Sequence, residues 1–579
     1  LFALAVDDIG LESEVRSAVV TVGGAASVLT LAPLEETLLP GRTMTLAATV
    51  DPSGIPAAAV RFYRDADGNG VLSALDEVLP GGVEVGAGEF RWAGIVPEAW
   101  GVGRQVFFAV PVTVGGEEGA AASVEASIWS LLFIPEGWRN DVTINEYLPV
   151  VNPHPFPVRY RVIARYEVGE RDQVIFDGEI AAQSRGGLII TERGRGHEAL
   201  TRLNVGYALE VQSSAPLGAM LSRYDNFSPW QVSMLDAANG EALTNVTSRI
   251  WTFAEVFKSS GFIYDFLTYY NPTEFDGEVT FDLYYEGGGR HSFTYIVPAL
   301  RRGGVNFNAD PIIPFGRFGV VVTSTVPLVV AQSRYESSTG QGFTILGEPS
   351  MGQTSVLVPF VETRPGLFNV VSIFNPSPSE LTTVSVAVVF ESDGGEAPPP
   401  QALNVIAAPG EPLLFSLEQY SIDAGARASL RIESDLPIVV RFAMADHQRG
   451  DATAGGPVQP HTGWLFADAF LDFSTAGSVG FEYLTVTNPG DGALDVTVVF
   501  YSSTGEPPVE VEIELAGRQT RTIELHREGG APLREGLNFF GLGVFAEAPI
   551  VASFVHWDLF QNGGWATFGT PMPASGPLT

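Results

Sequence analysis

The segment Asp265-Phe-Leu-Thr-Tyr-Tyr-Asn-Pro272 is a short apolar run that ends at an Asn-Pro corner. Proline cannot donate to a sheet ladder and pushes the residue before it out of helical space, and asparagine can bond the backbone of its own turn. The pair therefore predicts the end of one strand and a turn toward the next, with the asparagine in a structural role. The corner recurs at Asn152, Asn375 and Asn488, so that successive corners lie 119, 104 and 113 residues apart.

A second landmark follows every corner. It is a proline that opens an apolar strand 56 to 64 residues after the asparagine, at Pro216, Pro327, Pro437 and Pro549. The starts of the units also match, as Trp251-Thr-Phe-Ala-Glu255 does with Trp464-Leu-Phe-Ala-Asp468. Landmarks that recur in a fixed order indicate a tandem repeat far more strongly than one dipeptide does. We predict four β-sandwich repeats, at residues 129–249, 250–355, 356–463 and 464–579.

The stretch ahead of the repeats has a different pattern. In residues 25–128, strand-like runs are separated by turn residues at intervals of about 8–12 residues, and this pattern predicts an immunoglobulin-like domain. Residues 1–24 match the last two strands of that domain, and we interpret them as the last hairpin of a preceding immunoglobulin-like domain; the alternative is a hairpin that caps the domain after it. The fold class predicted for the whole chain is all-β, with tandem immunoglobulin-like and β-sandwich domains in a linear array.

Composition limits the function classes. Of the 579 residues, 45% are hydrophobic and 17% charged, which is enough apolar material to bury several cores. A net charge of -35 argues against partners such as nucleic acid, whose phosphates need a basic surface, and against docking on anionic lipid. The acidity fits either a surface adapted to salt or a role in cation binding. The lack of cysteine excludes disulfides and thiolate chemistry, and no apolar run of about 18 residues predicts membrane insertion.

One loop carries residues that can bind a metal. The segment Asp65-Ala-Asp-Gly-Asn-Gly-Val-Leu-Ser-Ala-Leu-Asp76 fits the calcium-loop template, in which oxygen ligands fall at positions 1, 3, 5, 7, 9 and 12 and glycine at position 6 permits the tight turn. The predicted ligands are Asp65, Asp67, Asn69, the Val71 carbonyl, Ser73 and Asp76. Position 12 is Asp rather than Glu, and Glu77 is an alternative ligand there. We expect a structural calcium site; the competing interpretation is an acidic turn without metal.

Catalytic motifs are missing. The seven histidines show no metal-ligand spacing, and neither a Gly-x-Ser-x-Gly elbow nor a phosphate-binding loop occurs. The strand after the second landmark ends at equivalent positions in Arg223-Tyr224, Arg334-Tyr335 and His556-Trp557. These ends are interpreted as facing the joint between repeats, with a sugar-stacking site as the alternative. The sequence predicts a protein that is not an enzyme.

The four units resemble the tandem repeats of large secreted bacterial proteins, which are common in actinobacteria and chloroflexi. The resemblance rests on Trp251-Thr-Phe-Ala-Glu, Phe266-Leu-Thr-Tyr-Tyr-Asn-Pro, Val297-Pro-Ala and Ser324-Thr-Val-Pro-Leu-Val-Val, and it covers residues 130–579. The third unit departs most, because it lacks the leading tryptophan. Residues 25–128 separately resemble the immunoglobulin-like modules of giant bacterial surface proteins. The resemblance implies surface or matrix modules without assigned catalysis.

These observations favour a secreted, extracellular structural protein of a bacterial cell surface or matrix: a stalk, sheath, surface-layer or filament subunit. We expect self-association or binding to other surface proteins, with residues 1–22 completing the sheet of a neighbouring subunit. The second hypothesis is an adhesin or carbohydrate-binding array that recognises a glycan, with Trp557 or Trp464 as its stacking residues. The third, remote hypothesis is a glycosidase-like enzyme with a site between repeats.

Overall fold

The computed structural model describes residues 18–20, 29–35, 37–50, 57–140, 144–192, 197–225, 237–261, 263–336, 341–363, 366–391, 399–420, 426–446, 450–455, 459–472, 480–525, 537–558 and 563–572. Regular structure in these ranges is antiparallel β-strand, with short 3-10 turns at Glu98–Trp100 and Leu417–Tyr420. The predicted all-β chain of tandem sandwiches is therefore confirmed. Among these residues, no helix has the length and apolar character needed to cross a membrane.

The immunoglobulin-like domain consists of two packed sheets. Its strands are β1 (Ala18–Val20), β2 (Leu29–Pro33), β3 (Thr43–Val50), β4 (Ala57–Arg64), β5 (Glu77–Leu79), β6 (Val83–Gly86), β7 (Glu89–Ile95), β8 (Gly103–Thr113) and β9 (Ala122–Ile128). One sheet has the order β1-β2-β3-β7-β6 and the other β5-β4-β8-β9. Strand β3 buries every second residue, because side chains alternate between the two faces of a strand. Of the hairpin predicted in residues 1–24, only β1 is described, and it pairs with β2; the rest lies outside the described residues.

The first repeat is a sandwich of two four-stranded sheets. Its strands are β10 (Ser130–Ile134), β11 (Ile144–Asn152), β12 (Val158–Tyr166), β13 (Gln173–Ile180), β14 (Ser184–Thr191), β15 (Tyr207–Ser213), β16 (Gly218–Asp225) and β17 (Ala237–Ala242). The sheet orders are β10-β15-β12-β13 and β14-β11-β16-β17. The apolar faces of the two sheets meet in one buried cluster.

The other three repeats follow the same plan with seven or eight strands. Repeat 2 contains β18 (Ser248–Lys258), β19 (Ile263–Tyr270), β20 (Gly277–Tyr285), β21 (Arg290–Val297), β22 (Arg302–Asn306), β23 (Gly316–Glu336) and β24 (Gln341–Leu346). Repeat 3 contains β25 (Gln353–Glu362), β26 (Leu367–Phe374), β27 (Thr382–Phe390), β28 (Gln401–Ala407), β29 (Pro412–Ser416), β30 (Arg427–Asp446) and β31 (Gly450–Gly455). Repeat 4 contains β32 (His461–Asp472), β33 (Gly480–Thr487), β34 (Leu494–Ser502), β35 (Val509–Leu515), β36 (Thr520–Glu524), β37 (Leu537–Asp558), β38 (Gly563–Thr567) and β39 (Thr570–Met572).

The sequence analysis predicted that each repeat proline opens a strand, and this is wrong for repeats 2 to 4. Pro327 lies inside the 21-residue strand β23, between a first part that pairs with β18 and β20 and a second part that pairs with β19 and β24. Since proline lacks the N–H that a ladder needs, it marks the point at which one long strand leaves the first sheet and enters the second. In repeat 1 the same point separates β15 from β16 at Pro216. The leading tryptophans are fixed beside this crossover, because the indole N–H donates to the Leu328 carbonyl from Trp251 and to the Ile550 carbonyl from Trp464, each at 2.9 Å.

The four corner asparagines hold their turns as predicted. Each side chain is buried, and its amide nitrogen donates to two turn carbonyls; from Asn271 these are Phe275 O at 2.8 Å and Pro298 O at 3.1 Å. The side-chain oxygen accepts the backbone N–H two residues later, at 3.0 Å from Thr273. The other three corners make the same bonds, with acceptor distances of 2.9 to 3.0 Å. The structural role of the asparagines is therefore confirmed.

In space, the repeats are not arranged in a line. One strand from near the end of each repeat takes part in a cycle of contacts, in which β17 lies against β24 and β38, and β31 lies against the same two strands. Repeat 4 thus closes on repeat 1, and β17, β24, β31 and β38 form the inside of a four-membered ring. The tandem order along the chain is as predicted, but the linear array is corrected to a closed ring. Local strand patterns do not reveal closure, because it depends on contacts between residues more than 300 positions apart.

An arginine–carboxylate pair crosses each of the four joints of the ring. Arg301 meets Asp172 between repeats 1 and 2 at 2.5 Å, and Arg185 meets Asp468 between repeats 4 and 1 at 3.1 Å. The joint between repeats 2 and 3 has the pair Arg441–Glu255, and the joint between repeats 3 and 4 has Arg427–Glu524. Paired charges suit buried joints, because an unpaired charge there would keep its full desolvation cost.

Candidate functional site

The predicted calcium ligands lie in the loop that joins β4 to β5, at the end of the sheet β5-β4-β8-β9. Two glycines allow the loop to turn tightly, because Gly68 and Gly70 have φ angles of 73° and 72°, in the left-handed region that glycine adopts without strain. A strand enters this loop and another leaves it, so no helix pair is present that calcium could open.

Three of the predicted carboxylates converge. Oxygen atoms of Asp65, Asp67 and Asp76 lie within 4.8 Å of one another. Asp65 and Asp76 are buried and Asp67 is exposed. Backbone donors orient the buried pair: Gly68 N and Gly70 N lie 2.7 Å from the two oxygens of Asp65, and Ser73 N lies 2.7 Å from Asp76 Oδ2.

The remaining predicted ligands surround Asp67. The Asn69 amide nitrogen donates to Asp67 Oδ2 at 2.8 Å, and Ser73 Oγ lies 3.2 Å from the same oxygen. The side chain of Val71 is exposed, and its backbone N–H donates to Asn69 Oδ1 at 2.7 Å. Asp67, Asn69 and Ser73 therefore belong to one hydrogen-bonded group next to the buried carboxylates.

Hydrogen bonds favour the charged form of Asp65. Burial alone would raise the pKa of Asp65, but the N–H groups of Gly70 and Gly68 outweigh it and hold that pKa below its usual value. The alternative ligand Glu77 is engaged elsewhere, since it accepts from Arg64 Nε at 2.8 Å and from the Trp100 indole at 3.0 Å. Converging oxygen donors without nitrogen or sulfur are the set that a hard cation such as calcium prefers, so the residues fit the ion.

The structure also shows two clefts at the joints, where the sequence analysis placed the strand ends. They lie at successive joints of the ring: cleft 4–1, of 510 Å³, between repeats 4 and 1, and cleft 1–2, of 490 Å³, between repeats 1 and 2. They occupy equivalent positions, because the strand registers place Glu482 opposite His556, Glu146 opposite Arg223, and Asp265 opposite Arg334. No sequence motif marks them, since each combines residues of two repeats.

The walls of the clefts repeat residue by residue. The earlier repeat contributes a carboxylate, an aromatic ring and a base, which are Asp468, Phe470 and His556 in cleft 4–1 and Glu136, Trp138 and Arg223 in cleft 1–2. The later repeat contributes an arginine and two rings, which are Arg185, Tyr147 and Tyr224 in cleft 4–1 and Arg302, Phe266 and Tyr335 in cleft 1–2. The two rings make the same edge-on contact in both, with centroids 6.1 Å apart.

The strand-end pairs lie at the joints, as predicted. The Arg223 guanidinium lies 5.2 Å from the centre of the Tyr335 ring across joint 1–2, and Tyr224 contacts Trp565 at 5.9 Å across joint 4–1. The tryptophans considered for sugar stacking are in the wrong place for it, because Trp557 is 0% and Trp464 2% exposed. Both pack in the apolar clusters of the repeats, so their faces are covered by protein.

Sequence reasoning also missed Glu210, which connects three domains. It accepts hydrogen bonds from Arg42 of the immunoglobulin-like domain at 2.5 Å, from Arg165 of repeat 1 at 3.1 Å, and from the Tyr270 hydroxyl of repeat 2 at 2.5 Å. Burial would raise its pKa, but Arg165 and Arg42 more than offset this and hold the pKa well below its usual range. The immunoglobulin-like domain is thus joined to the ring through a buried carboxylate.

Comparison with known proteins gives no family. No protein-family model matches the chain, and no curated protein matches it. Among solved structures, a Thermotoga maritima protein is similar over 17% of this chain and 83% of its own, at 20% identity and a TM-score of 0.15. Trypsin-activated alpha-2-macroglobulin from Escherichia coli is similar over 96% of this chain and 49% of its own, at 9% identity and a TM-score of 0.15. A tetra-tandem repeat in the extending region of a large adhesion protein is similar over 72% of this chain and 97% of its own, at 11% identity and a TM-score of 0.12.

Proposed function

We propose that this chain is a non-catalytic structural module of an extracellular bacterial surface or matrix, as a stalk, sheath, surface-layer or filament component. The observation that carries the proposal is the closed ring, in which charge pairs and inner strands join four sandwiches into one compact block. A block of this kind resists unfolding piece by piece, because closure gives the two terminal repeats the second neighbour that they would lack in a linear array.

Electron microscopy of the native material tests this function. We expect ordered fibres, sheets or lattices, in which the ring and the immunoglobulin-like domain repeat at a fixed spacing. The N-terminal hairpin is proposed to complete the sheet of a neighbouring subunit, and deletion of residues 1–24 tests this role. We expect the deletion to abolish assembly while the melting temperature of the ring stays unchanged. Isolated particles at every protein concentration would contradict the structural role, and unchanged assembly of the deletion variant would contradict the role of the hairpin.

We also propose that the loop Asp65–Asp76 binds calcium as a structural ion. The support is the convergence of the carboxylates of Asp65, Asp67 and Asp76, which repel one another unless a cation lies between them. Binding to the folded state alone raises stability with the ion concentration. The loop links β4 to β5, so the ion would fasten the edge of a sheet.

Removal of calcium is therefore expected to lower the melting temperature of the immunoglobulin-like domain, as measured by scanning calorimetry before and after chelation. Asp67→Asn should reduce this difference, because it removes one exposed ligand charge without disturbing a buried side chain. Glu117→Gln provides a matched control with the same charge change on an exposed residue of the same domain. A melting temperature that does not change on chelation would exclude a stabilising role of calcium, even if the loop keeps its shape.

A further inference from the structure

Clefts 4–1 and 1–2 share one polar apparatus. In cleft 4–1, Arg185 Nη2 lies 3.1 Å from Asp468 Oδ1, and at the equivalent place in cleft 1–2, Arg302 Nη2 lies 3.8 Å from Glu136 Oε2. Arg302 is the first and Arg185 the second residue of the edge strand of the later repeat, and they pair with Tyr270 and Val151 in the strand registers. A donor and an acceptor thus stand side by side at the same point of each cleft.

Polar atoms remain unsatisfied at both sites. Glu136 is 5% exposed, and within the described ranges its Oε2 has no hydrogen-bond partner. Trp565 is 3% exposed, lines cleft 4–1, and its indole N–H likewise has no partner there. Buried polar groups normally find partners, so these two atoms are available to a water molecule or a ligand that enters the cleft.

Aromatic rings supply the apolar part of each wall. Phe470 and Trp138 are half-buried at equivalent positions, and Phe539, beside Phe470 with ring centroids 4.8 Å apart, is 42% exposed. A few fixed polar groups between aromatic faces are typical of small-molecule sites, and the volumes of 510 and 490 Å³ are in the range of such sites.

We propose that clefts 4–1 and 1–2 are paired binding sites for a neutral glycan. A sugar unit has C–H faces that pack on aromatic rings and vicinal hydroxyls that can donate to a carboxylate and accept from the neighbouring arginine. A neutral ligand is specified because a carboxylate lies in each cleft and the chain carries a net charge of -35, so an anionic polysaccharide would be repelled. The inference goes beyond the proposed structural role, since it would attach the module to a polysaccharide.

Two equivalent sites on one chain also predict avidity. A polymer long enough to enter both clefts binds the second one intramolecularly once the first is filled. A long neutral polysaccharide should therefore bind more tightly than the short oligosaccharide of the same units.

Isothermal titration calorimetry of the whole chain with cello-, xylo-, manno- and chitohexaose tests the proposal. We expect at least one of these oligosaccharides to bind with two sites per chain. Trp138→Ala should lower the affinity of cleft 1–2 and Phe470→Ala that of cleft 4–1, each by about tenfold or more, so that each single variant keeps one unaltered site and the double variant keeps none. Phe315→Ala, which removes a 66% exposed ring outside both clefts, should keep both sites.

Several results would overturn the inference. They are no binding of any of the four oligosaccharides at millimolar concentration, binding that the double variant retains while its melting temperature matches that of the parent, and binding only of an anionic oligosaccharide or a peptide. Release of reducing ends from a bound glycan would contradict the non-catalytic function but not the binding site. The two proposals therefore fail separately.

Discussion

Two buried glutamates at joints of this protein have pKa values shifted in opposite directions, and their neighbours explain the difference. Glu210 faces Arg42 and Arg165, which stabilise its charge and lower its pKa. Glu241 in β17 is also buried, and its hydrogen-bond partners within the described ranges are the Thr567 hydroxyl and the Ala242 N–H, so burial raises its pKa to about 8. A buried carboxyl group thus follows its partners and not its residue type.

We predict that Glu241 makes the joint between repeats 4 and 1 sensitive to pH. Its pKa is raised from 4.5 to about 8, so the folded state holds a proton that the unfolded chain releases. The stabilisation is fully present below pH 4.5 and is lost as pH rises through about 8, for a total of about 5 kcal/mol. Glu241→Gln, which keeps the bond to Thr567 and cannot ionise, should flatten this loss in calorimetric melting curves between pH 4.5 and 8.5.

Glu179→Gln is the control for that experiment, because Glu179 is exposed on β13 of the same repeat. The melting temperature of the control should follow the parent protein at every pH. Parallel curves for Glu241→Gln and the parent would show that Glu241 does not govern the pH response.

Sequence reasoning could find the loop Asp65–Asp76 and could place the strand ends at the joints, but it could not find Glu210, Glu241 or the walls that complete the clefts. The spacing of ligands within twelve residues is a local property, and the structure brings three of those carboxylates together. Glu210 instead depends on Arg42 and Tyr270, which are 168 and 60 residues away. Such partners leave no periodic pattern in the chain.

At the scale of the strands, the Asn-Pro corner is the most reliable signal. The asparagine replaces backbone hydrogen bonds that the proline cannot make, and it does so with the same three contacts in every repeat. The proline landmark was placed correctly but misread, because both a strand start and a crossover inside a strand avoid a ladder N–H. Only the pairing of β23, β30 and β37 with both sheets separates the two.

Replacement of a corner asparagine should destabilise its repeat. Asn271→Ala removes bonds of 2.8 to 3.1 Å and leaves buried carbonyls unsatisfied, for an expected loss of about 2 to 3 kcal/mol in the free energy of unfolding. Urea unfolding followed by tryptophan fluorescence measures the change. Asn404→Ala, at an exposed site on β28, should be close to neutral; equal effects of both variants would exclude the structural role of the corner.

At the scale of the whole molecule, ring closure depends on small residues on the inner strands. A Cβ on Gly240 would lie 2.8 Å from Trp565 Cδ2, and one on Gly563 would lie 2.4 Å from Ala238 Cβ. Only glycine lets β17 and β38 approach this closely. The sequence shows these glycines but not which strand they face, so the linear array was the natural prediction and the ring was not.

We predict that Gly240→Val opens the ring at the joint between repeats 4 and 1. The added side chain overlaps Trp565, which belongs to the neighbouring repeat, so the sandwiches should stay folded while their contact is lost. Small-angle X-ray scattering should show a larger radius of gyration with unchanged far-ultraviolet circular dichroism. Gly492→Val, where a Cβ meets no atom within 4 Å, should keep the compact shape; a compact Gly240→Val variant would mean that the joint tolerates the extra volume.

The joint between repeats 4 and 1 differs from the other three because no covalent segment of chain spans it directly. A pulling force applied between the immunoglobulin-like domain and β39 would therefore concentrate on this non-covalent contact, while the peptide backbone secures the remaining joints. Once Arg185 and Asp468 separate, the repeats would move apart one after another into an extended string of domains. The ring would then lengthen under tension by opening this joint, before any sandwich unfolds.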